Sequence, residues 1–239
     1  MAEIRTFHET IAISDETEMV AYVASPEQEG LYPALLLFQE IFGVNEHIRQ
    51  VADRLAAEGY MVVAPDIFHR SSPGFESGYE DLQPGRTQAA ALTPEGLKAD
   101  IKACYEWLQH HPHVAGDRIG SMGFCLGGRL SFLANAWIPL KAAVSFYGAG
   151  IAENHLELCE YLHAPQLFFW AGQDPWIQPE SHQKLTQKLR ELKKDFVTVE
   201  FANVDHGFAC DARSNYDFNA ARQAWSLSLS FLDSYLKKY

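Results

Sequence analysis

Continuous apolar runs alternate along the chain with stretches of helical periodicity. Four runs are apolar at nearly every position, as expected of strands buried on both faces of a sheet. They lie at 33–40, 60–67, 141–148 and 165–172. Two further strands are predicted at 117–124, "DRIGSMGF", and at 196–201, "FVTVEF".

The beginning of the chain has a different pattern. Apolar and polar residues alternate over 3–13 and again over 18–24, with "SDE" between the two stretches. An alternation with a period of two on both sides of a polar turn predicts an antiparallel hairpin.

Helices are predicted between the later strands, because apolar residues recur there at spacings of three and four. The first helix carries Ile48, Val51, Ala52, Leu55 and Ala56, and the second carries Leu97, Ile101, Cys104, Trp107 and Leu108. Further helices are predicted over "RLSFLANAWI", over about 179 to 193, and at the end of the chain, where the pattern includes Ala221, Trp225, Ser228, Leu232, Tyr235 and Leu236.

This order of elements predicts an α/β fold with a mainly parallel sheet and helices on both faces. No Pro-, Gly- or Ser-rich linker divides the chain, so one domain over residues 1–239 is predicted. The connections at 68–93 and 202–218 are too long for turns. Long loops that follow strands of an open α/β sheet often bind ligands, so both are candidate binding loops.

Composition and charge exclude several function classes. The net charge is −12 and no basic stripe is present, which argues against a nucleic-acid partner and requires local arginines for any anionic substrate. No signal peptide and no long apolar span are found, so no membrane partner is predicted. The four cysteines lack metal-ligand spacing, which predicts no metal and a reduced, cytoplasmic protein.

The stretch "GFCLGG" at 123–128 places a cysteine between glycines where a predicted strand passes into a helix. A G-x-nucleophile-x-G turn at such a boundary is the nucleophile elbow of α/β-hydrolases, here with Cys125 in place of serine. The glycines relieve crowding in a tight turn, and the helix N-terminus favours negative charge. The alternative is that Cys125 is a small buried residue in a glycine-rich corner.

Two later loops supply partners in the order that this fold uses, which is nucleophile, acid, histidine. Asp174 follows the strand "PQLFFWAG", and His206 follows the strand "FVTVEF". Taken alone, Asp174 could be a turn residue before proline and His206 an ordinary loop histidine. Asp205, beside His206, is interpreted as a solvated or loop-capping group, and Cys210 as a core or loop residue.

The segments "QEIFGVNEHIRQVADRLAAEGYMVVAPDIF" and "GFCLGGR" resemble dienelactone hydrolase, also called carboxymethylenebutenolidase. The segments "AGQDPWI" and "VDHGF" match the acid and histidine positions of that family, so the resemblance covers nearly the whole chain. It implies an α/β-hydrolase fold. It also implies that Cys125 is the nucleophile, His206 the base and then the acid, and Asp174 the group that orients His206.

The resemblance implies further roles around the reaction centre. The backbone N–H groups of Ile41 and Leu126 would form the oxyanion hole, and Glu40 would help to take the thiol proton when substrate binds. The alternative for Glu40 is a charged residue at the end of a buried strand.

The substrate-binding residues depart from the family pattern. Relatives bind the substrate carboxylate with arginines, and the candidates here are Arg86 in the 68–93 loop and Arg213, seven residues after the catalytic histidine position. Either arginine could instead be solvated. Tyr147 resembles a substrate-contacting tyrosine, although a role in the core is an alternative, and Arg129 is interpreted as structural.

The resulting hypothesis is hydrolysis of an activated ester or lactone, such as an enol lactone that yields a maleylacetate-type acid, without a cofactor. A thioester forms readily with such acyl groups because their leaving groups are good. The alternatives are an esterase or thioesterase for another small activated ester, and a lactone-binding receptor without catalysis. A monomer or small homo-oligomer is predicted.

Overall fold

The structure is a computed structural model that describes residues 3–237. The described chain divides after Gly120 into two compact units. The prediction of one domain over residues 1–239 stays a prediction.

The first unit contains four strands in the spatial order β1-β2-β4-β3. Their bounds are β1 (Ile4–Ala12), β2 (Glu18–Pro26), β3 (Tyr32–Phe38) and β4 (Met61–Pro65). The predicted hairpin is confirmed, because β1 pairs antiparallel with β2 and places Ile11 opposite Met19. β2 is antiparallel to β4, whereas β3 and β4 are parallel, with Leu35 opposite Val62.

Three helices belong to the same unit: α1 (Glu46–Ala57), α2 (Gln83–Ala90) and α3 (Pro94–His110). Side chains cap α1 and α3. The side-chain Oδ1 of Asn45 accepts the N–H of Ile48, and the Thr93 hydroxyl accepts the N–H of Gly96. The predicted apolar face of α1 is buried, and so are Leu97, Ile101, Cys104 and Leu108 of α3.

The connection at 68–93 contains regular structure that the sequence did not predict, namely α2. Only Gly85 of this helix is buried. A helix without an apolar stripe gives no periodic signal, so the sequence pattern could not reveal it.

The second unit holds the later strands in the order β5-β6-β7-β8, all parallel. The strands are β5 (Val114–Phe124), which begins before the division, β6 (Ala143–Phe146), β7 (Gln166–Ala171) and β8 (Phe196–Phe201). The helices are α4 (Leu126–Trp137), α5 (Ile151–Asn154), α6 (Pro179–Glu191) and α7 (Phe218–Leu236), with a 3₁₀ helix at Leu156–Tyr161.

The register of these strands brings their carboxyl ends to one edge of the sheet. Phe124 pairs with Phe146, and Phe146 pairs with Phe169. The rings of Phe124 and Phe146 stack with their centroids 4.6 Å apart. The segments that follow β5, β6, β7 and β8 therefore leave the sheet at the same edge, which is where ligands bind in open α/β sheets.

None of the helices described between residues 3 and 237 has the length and apolar character needed to cross a membrane.

Candidate functional site

Cys125 occupies a strained turn between β5 and α4. Its backbone angles are φ 55° and ψ −114°, a conformation that a residue with a side chain rarely adopts. A Cβ atom on Gly123 would lie 2.0 Å from the carbonyl oxygen of Gly127, and one on Gly128 would lie 2.4 Å from that of Phe146. Only glycine fits at both positions, which is the crowding expected of a nucleophile elbow.

The surroundings of Cys125 distinguish it from the other cysteines. Cys125 is partly exposed, whereas the other three are buried. Its N–H donates to the carbonyl of Phe146 at 3.0 Å, which fixes the turn to the neighbouring strand. Leu126 is the first residue of α4, and the N–H groups of a helix's first turn have no partner within the helix. The thiol therefore lies beside a helix N-terminus that favours negative charge.

Asp174 lies in the segment after β7, with its carboxylate buried. One oxygen, Oδ1, accepts the N–H groups of Trp176 at 2.9 Å and Ile177 at 3.1 Å. The other oxygen, Oδ2, lies 2.7 Å from Nδ1 of His206. The backbone holds the carboxylate so that its second oxygen faces the imidazole.

His206 lies in the segment after β8 and is 1% exposed. The backbone N–H of His206 donates to Oδ1 of Asp205, and its backbone carbonyl accepts from Nδ2 of Asn215 at 2.9 Å. The ring lies 4.8 Å from that of Tyr147 and 4.6 Å from that of Trp176. Asp205 thus caps the loop, as predicted, and two aromatic rings restrict the imidazole.

The charges around His206 favour its protonated form. Burial alone would lower the pKa of His206, but the negative charge of an ionised Cys125 and the hydrogen bond to Asp174 raise it to about 10. Cys125 is therefore close enough for its charge to act on the imidazole. A thiol, an imidazole and a carboxylate in this arrangement can form a thiolate–imidazolium pair.

The segment that contains Glu40 and Ile41 belongs to the first unit and follows β3. Glu40 is 1% exposed, and its backbone pairs with that of Gly43 in an isolated bridge. Gly43 has φ +84°, and a Cβ there would meet the carbonyl oxygen of Phe75 at 1.8 Å. A Cβ on Gly85 of α2 would lie 2.2 Å from the carbonyl oxygen of Ile41. Glu40 is thus a buried carboxyl group in a tightly packed turn.

The candidate substrate-binding residues have different surroundings. Tyr147 is fully buried, has φ 39° and contacts His206. The guanidinium of Arg213 packs on Gly207, and its Nη1 lies 2.4 Å from where a Cβ of that glycine would be. Arg86 is exposed on α2. Tyr147 and Arg213 thus lie near the imidazole, whereas Arg86 lies on the surface of the first unit.

Sequence reasoning assigned no role to Trp176 or Asn215, which position the histidine loop. Trp176 follows the Asp174–Pro175 pair directly, and an aromatic residue so close to a candidate acid was the available signal. No comparable signal marked Asn215, because its bond to the carbonyl of His206 closes a loop of irregular structure.

Comparisons with known proteins agree with this geometry. The family model described as "Dienelactone hydrolase family" matches residues 19–236. A protein of Synechocystis sp. named "Putative carboxymethylenebutenolidase" is 33% identical over 98% of this chain and 99% of its own. A protein of Bradyrhizobium sp. named "Probable 2-oxo-3-(5-oxofuran-2-ylidene)propanoate lactonase" is 28% identical and covers 89% of this chain and 88% of its own.

A solved structure shows the same architecture. The crystal structure titled "Putative Dienelactone Hydrolase" from Klebsiella pneumoniae matches with a TM-score of 0.90 at 30% identity. The match covers 98% of this chain and all of the Klebsiella chain. The predicted α/β-hydrolase fold is thereby confirmed. The chain belongs to the dienelactone hydrolase family, and it is a hydrolase.

Proposed function

We propose that this hydrolase cleaves an activated ester or lactone, of the enol-lactone type, through a thioester on Cys125. The observation that carries the proposal is the buried 2.7 Å contact between Asp174 and His206, in the same unit as a cysteine on a strained turn. Asp174 orients the imidazole, His206 moves the proton, and Cys125 attacks the acyl carbon.

The first half-reaction forms the thioester. The Cys125 thiolate attacks the carbonyl carbon, and the resulting oxyanion is stabilised by the N–H group of Leu126 and, as the resemblance to the family implies, by that of Ile41. The C–O bond then breaks, the C–S bond remains, and protonated His206 can give its proton to the leaving oxygen. An enolate or phenolate is a good leaving group, so activated esters are favoured over alkyl esters.

The second half-reaction follows from the electrostatics. Thioester formation removes the negative charge of Cys125, which is the largest effect that raises the pKa of His206. Burial then lowers that pKa, and the neutral imidazole can accept a proton from water. Water attacks the thioester, the C–S bond breaks, a carboxylic acid leaves, and the thiolate with protonated His206 is restored.

We assign Glu40 the role of taking the proton from the resting thiol when substrate binds, as the resemblance to the family implies, and of passing it to His206, so that the attacking thiolate faces a protonated imidazole. Its burial at the end of β3 supports the assignment, because a glutamate with a plain surface role would be exposed to solvent. Tyr147 and Arg213 are proposed substrate contacts because both pack beside the histidine loop. Arg86 is retained as a proposed contact from the same resemblance.

Two expectations about cellular context remain proposals. The four cysteines are free thiols, which supports a reducing compartment such as the cytoplasm. The predicted monomer or small homo-oligomer likewise stays a prediction.

The test is hydrolysis of cis- and trans-dienelactone and of 4-nitrophenyl acetate by the purified protein, with Cys125→Ala and Cys125→Ser as variants. We expect dienelactone turnover that is lost in Cys125→Ala. Turnover of the nitrophenyl ester alone would keep the thioester chemistry and reject the lactone substrate. Equal rates in wild type and Cys125→Ala would reject the mechanism.

A further inference from the structure

β8 is the last strand in the order of the second unit, and only its β7 side is paired. The carbonyl of Asp195 accepts the N–H of Gln166 at 3.1 Å. At the other end of the strand, the carbonyl of Phe201 accepts the N–H of Gly172 at 2.9 Å. The odd-numbered residues of β8 therefore direct their backbone groups toward β7. Because alternate residues of a strand direct these groups to opposite sides, the even-numbered residues direct theirs outward.

The outward backbone groups belong to Phe196, Thr198 and Glu200. Among residues 3–237, nothing forms a hydrogen bond with these groups on the outer side of the strand. Val197, between the first two, has 39% of its surface exposed. The hydroxyl of Thr198 accepts Nε1–H of Trp170 at 2.9 Å, which ties the strand to its neighbour. β8 thus presents an ordered row of unpaired donors and acceptors.

Unpaired strand edges are ordinarily protected, because they can pair with any other extended chain. Charged side chains, proline and bulges are the usual means of protection. β1 also lacks a strand on its outer side, and its nine residues include Arg5, His8 and Glu9. The sequence of β8, "FVTVEF", has no proline or lysine, and its only charged residue is Glu200. β8 is therefore the less protected of these two edges.

The charges along β8 make the strand complementary to a second copy of itself. Lys193 and Lys194 precede the strand, and Glu200 lies near its end. With Asp195 included, the start of the strand remains positive. Two copies related by a two-fold axis run antiparallel across their edges, so the start of each strand meets the end of the other. Opposite charges then face each other at both ends of the pair.

The existing contacts of the two charged side chains leave room for this pairing. Nζ of Lys194 donates one hydrogen bond, to the carbonyl of Leu162 at 3.0 Å, and an ammonium group has three donors. Oε2 of Glu200 lies 3.6 Å from Nε2 of His182, and the Glu200 side chain is 45% exposed. Each group can therefore take a further partner.

One register satisfies the backbone, the apolar side chains and the charges together. With Val197 on the two-fold axis, Phe196 of one copy lies opposite Thr198 of the other. The outward groups of these residues then form hydrogen-bonded pairs. The same register places Val197 opposite Val197 and Lys194 opposite Glu200. An apolar centre with a polar rim is the usual arrangement of a protein interface.

We propose that β8 pairs antiparallel with β8 of a second copy of this chain, which gives a two-fold symmetric dimer. The inference does not depend on the reaction assigned to Cys125. A pair of short strands buries less surface than a standard protein interface. The dimer is therefore reversible, with a dissociation constant on the order of 10 µM.

The test is analytical ultracentrifugation of the full chain over about 1 to 500 µM, a range that brackets this dissociation constant. Low salt is used, because salt screens exposed charges. Val197→Lys places two lysines on the axis, and Glu200→Lys places like charges opposite each other. The double variant Lys194→Glu/Glu200→Lys exchanges the two charges. The matched control is Val20→Lys, at a valine of β2 that is 46% exposed.

We expect wild type and Val20→Lys to dimerise alike. Val197→Lys and Glu200→Lys should each raise the dissociation constant by about 10-fold or more, because like charges then face each other. The double variant should recover most of the loss seen in Glu200→Lys, and failure to recover would reject the charge pairing. A monomer at every concentration would leave β8 to a different chain and overturn the proposal, as would a dimer that Val197→Lys does not weaken.

Hydrogen exchange of single amides, followed by NMR on the wild-type protein, tests the pairing without any variant. The N–H groups of Phe196 and Thr198 gain a partner in the dimer, whereas those of Val197 and Val199 face β7 in monomer and dimer alike. Exchange at Phe196 and Thr198 should therefore slow as the protein concentration rises, with no change at the two valines. Slowing confined to β1 would place the contact on the other edge and reject β8.

Discussion

The carboxylate of Asp174 divides its two oxygens between the backbone and His206. Oδ1 accepts the N–H groups of Trp176 and Ile177, and Oδ2 lies 2.7 Å from Nδ1 of His206. Because the backbone fixes one oxygen, the other cannot turn away from the imidazole. The contact therefore fixes the proton on Nδ1 of His206. Nε2 is then the ring nitrogen left to exchange a proton in the reaction.

Replacing Asp174 with asparagine should disable that orientation while keeping the shape. The amide oxygen can still accept the two N–H groups, but its NH₂ would then face Nδ1 and favour the wrong tautomer. We expect kcat for 4-nitrophenyl acetate to fall by about 10²- to 10⁴-fold. Asp205→Asn is the control, since Oδ1 of Asp205 accepts the backbone N–H of His206. Similar losses in both variants would contradict the assignment.

The pKa of His206, raised to about 10, makes stability depend on pH. A histidine whose folded pKa exceeds its ordinary value of about 6.5 stabilises the fold fully below that value. The stabilisation is then lost as the pH rises toward 10. The free energy of unfolding of wild type relative to His206→Gln should therefore fall between pH 6.5 and 10 when measured in urea.

A second variant separates the two causes of the raised pKa. Cys125→Ala removes the thiolate charge and keeps Asp174, so the pKa of His206 should fall below its wild-type value. Titration of the imidazole by NMR measures it directly. An unchanged titration in Cys125→Ala would show that the thiolate does not act on His206.

The turn around Cys125 should tolerate no side chain at Gly123. A Cβ there would lie 2.0 Å from the carbonyl of Gly127, which is backbone and cannot swing aside. Overpacking of this kind costs about 1–3 kcal/mol, and we expect Gly123→Ala to lose at least that much unfolding free energy. Gly78→Ala is the matched control, because nothing lies within 4 Å of its Cβ position. Equal stability of the two variants would reject the strained elbow.

The sequence predicted the parts of the site that local pattern determines. The apolar run of β7 and the strand patterns of β5 and β8 marked where these strands end, and Cys125, Asp174 and His206 could be located from those ends. Long-range packing of polar groups leaves no such pattern. The contacts of Trp176 therefore appeared only in the structure.

An ion-pair network anchors the start of the 68–93 connection. Its removal should lower the free energy of unfolding more than it lowers the catalytic rate. Asp100 is fully buried and accepts two hydrogen bonds from Arg70, while Nε2 of His69 lies 3.2 Å away. Asp100→Asn removes the buried carboxylate that faces Arg70 and leaves only the more exposed Asp15 to balance its charge, so we expect a loss of about 3 kcal/mol in unfolding free energy. Asp15→Asn, at the exposed side of Arg70, should have a much smaller effect. Comparable losses would show that burial of Asp100 is unimportant.

The role of Glu40 in taking the thiol proton predicts a pH dependence that a structural role would not give. In Glu40→Gln the thiol lacks its acceptor, so kcat/KM at neutral pH should fall by about 10- to 100-fold. At alkaline pH hydroxide can take the thiol proton in place of Glu40, and the rates of variant and wild type should converge. Activity on 4-nitrophenyl acetate from pH 6 to 10, with melting temperatures in parallel, measures both effects. A loss that stays constant across this range would mean that Glu40 only supports the turn between β3 and α1.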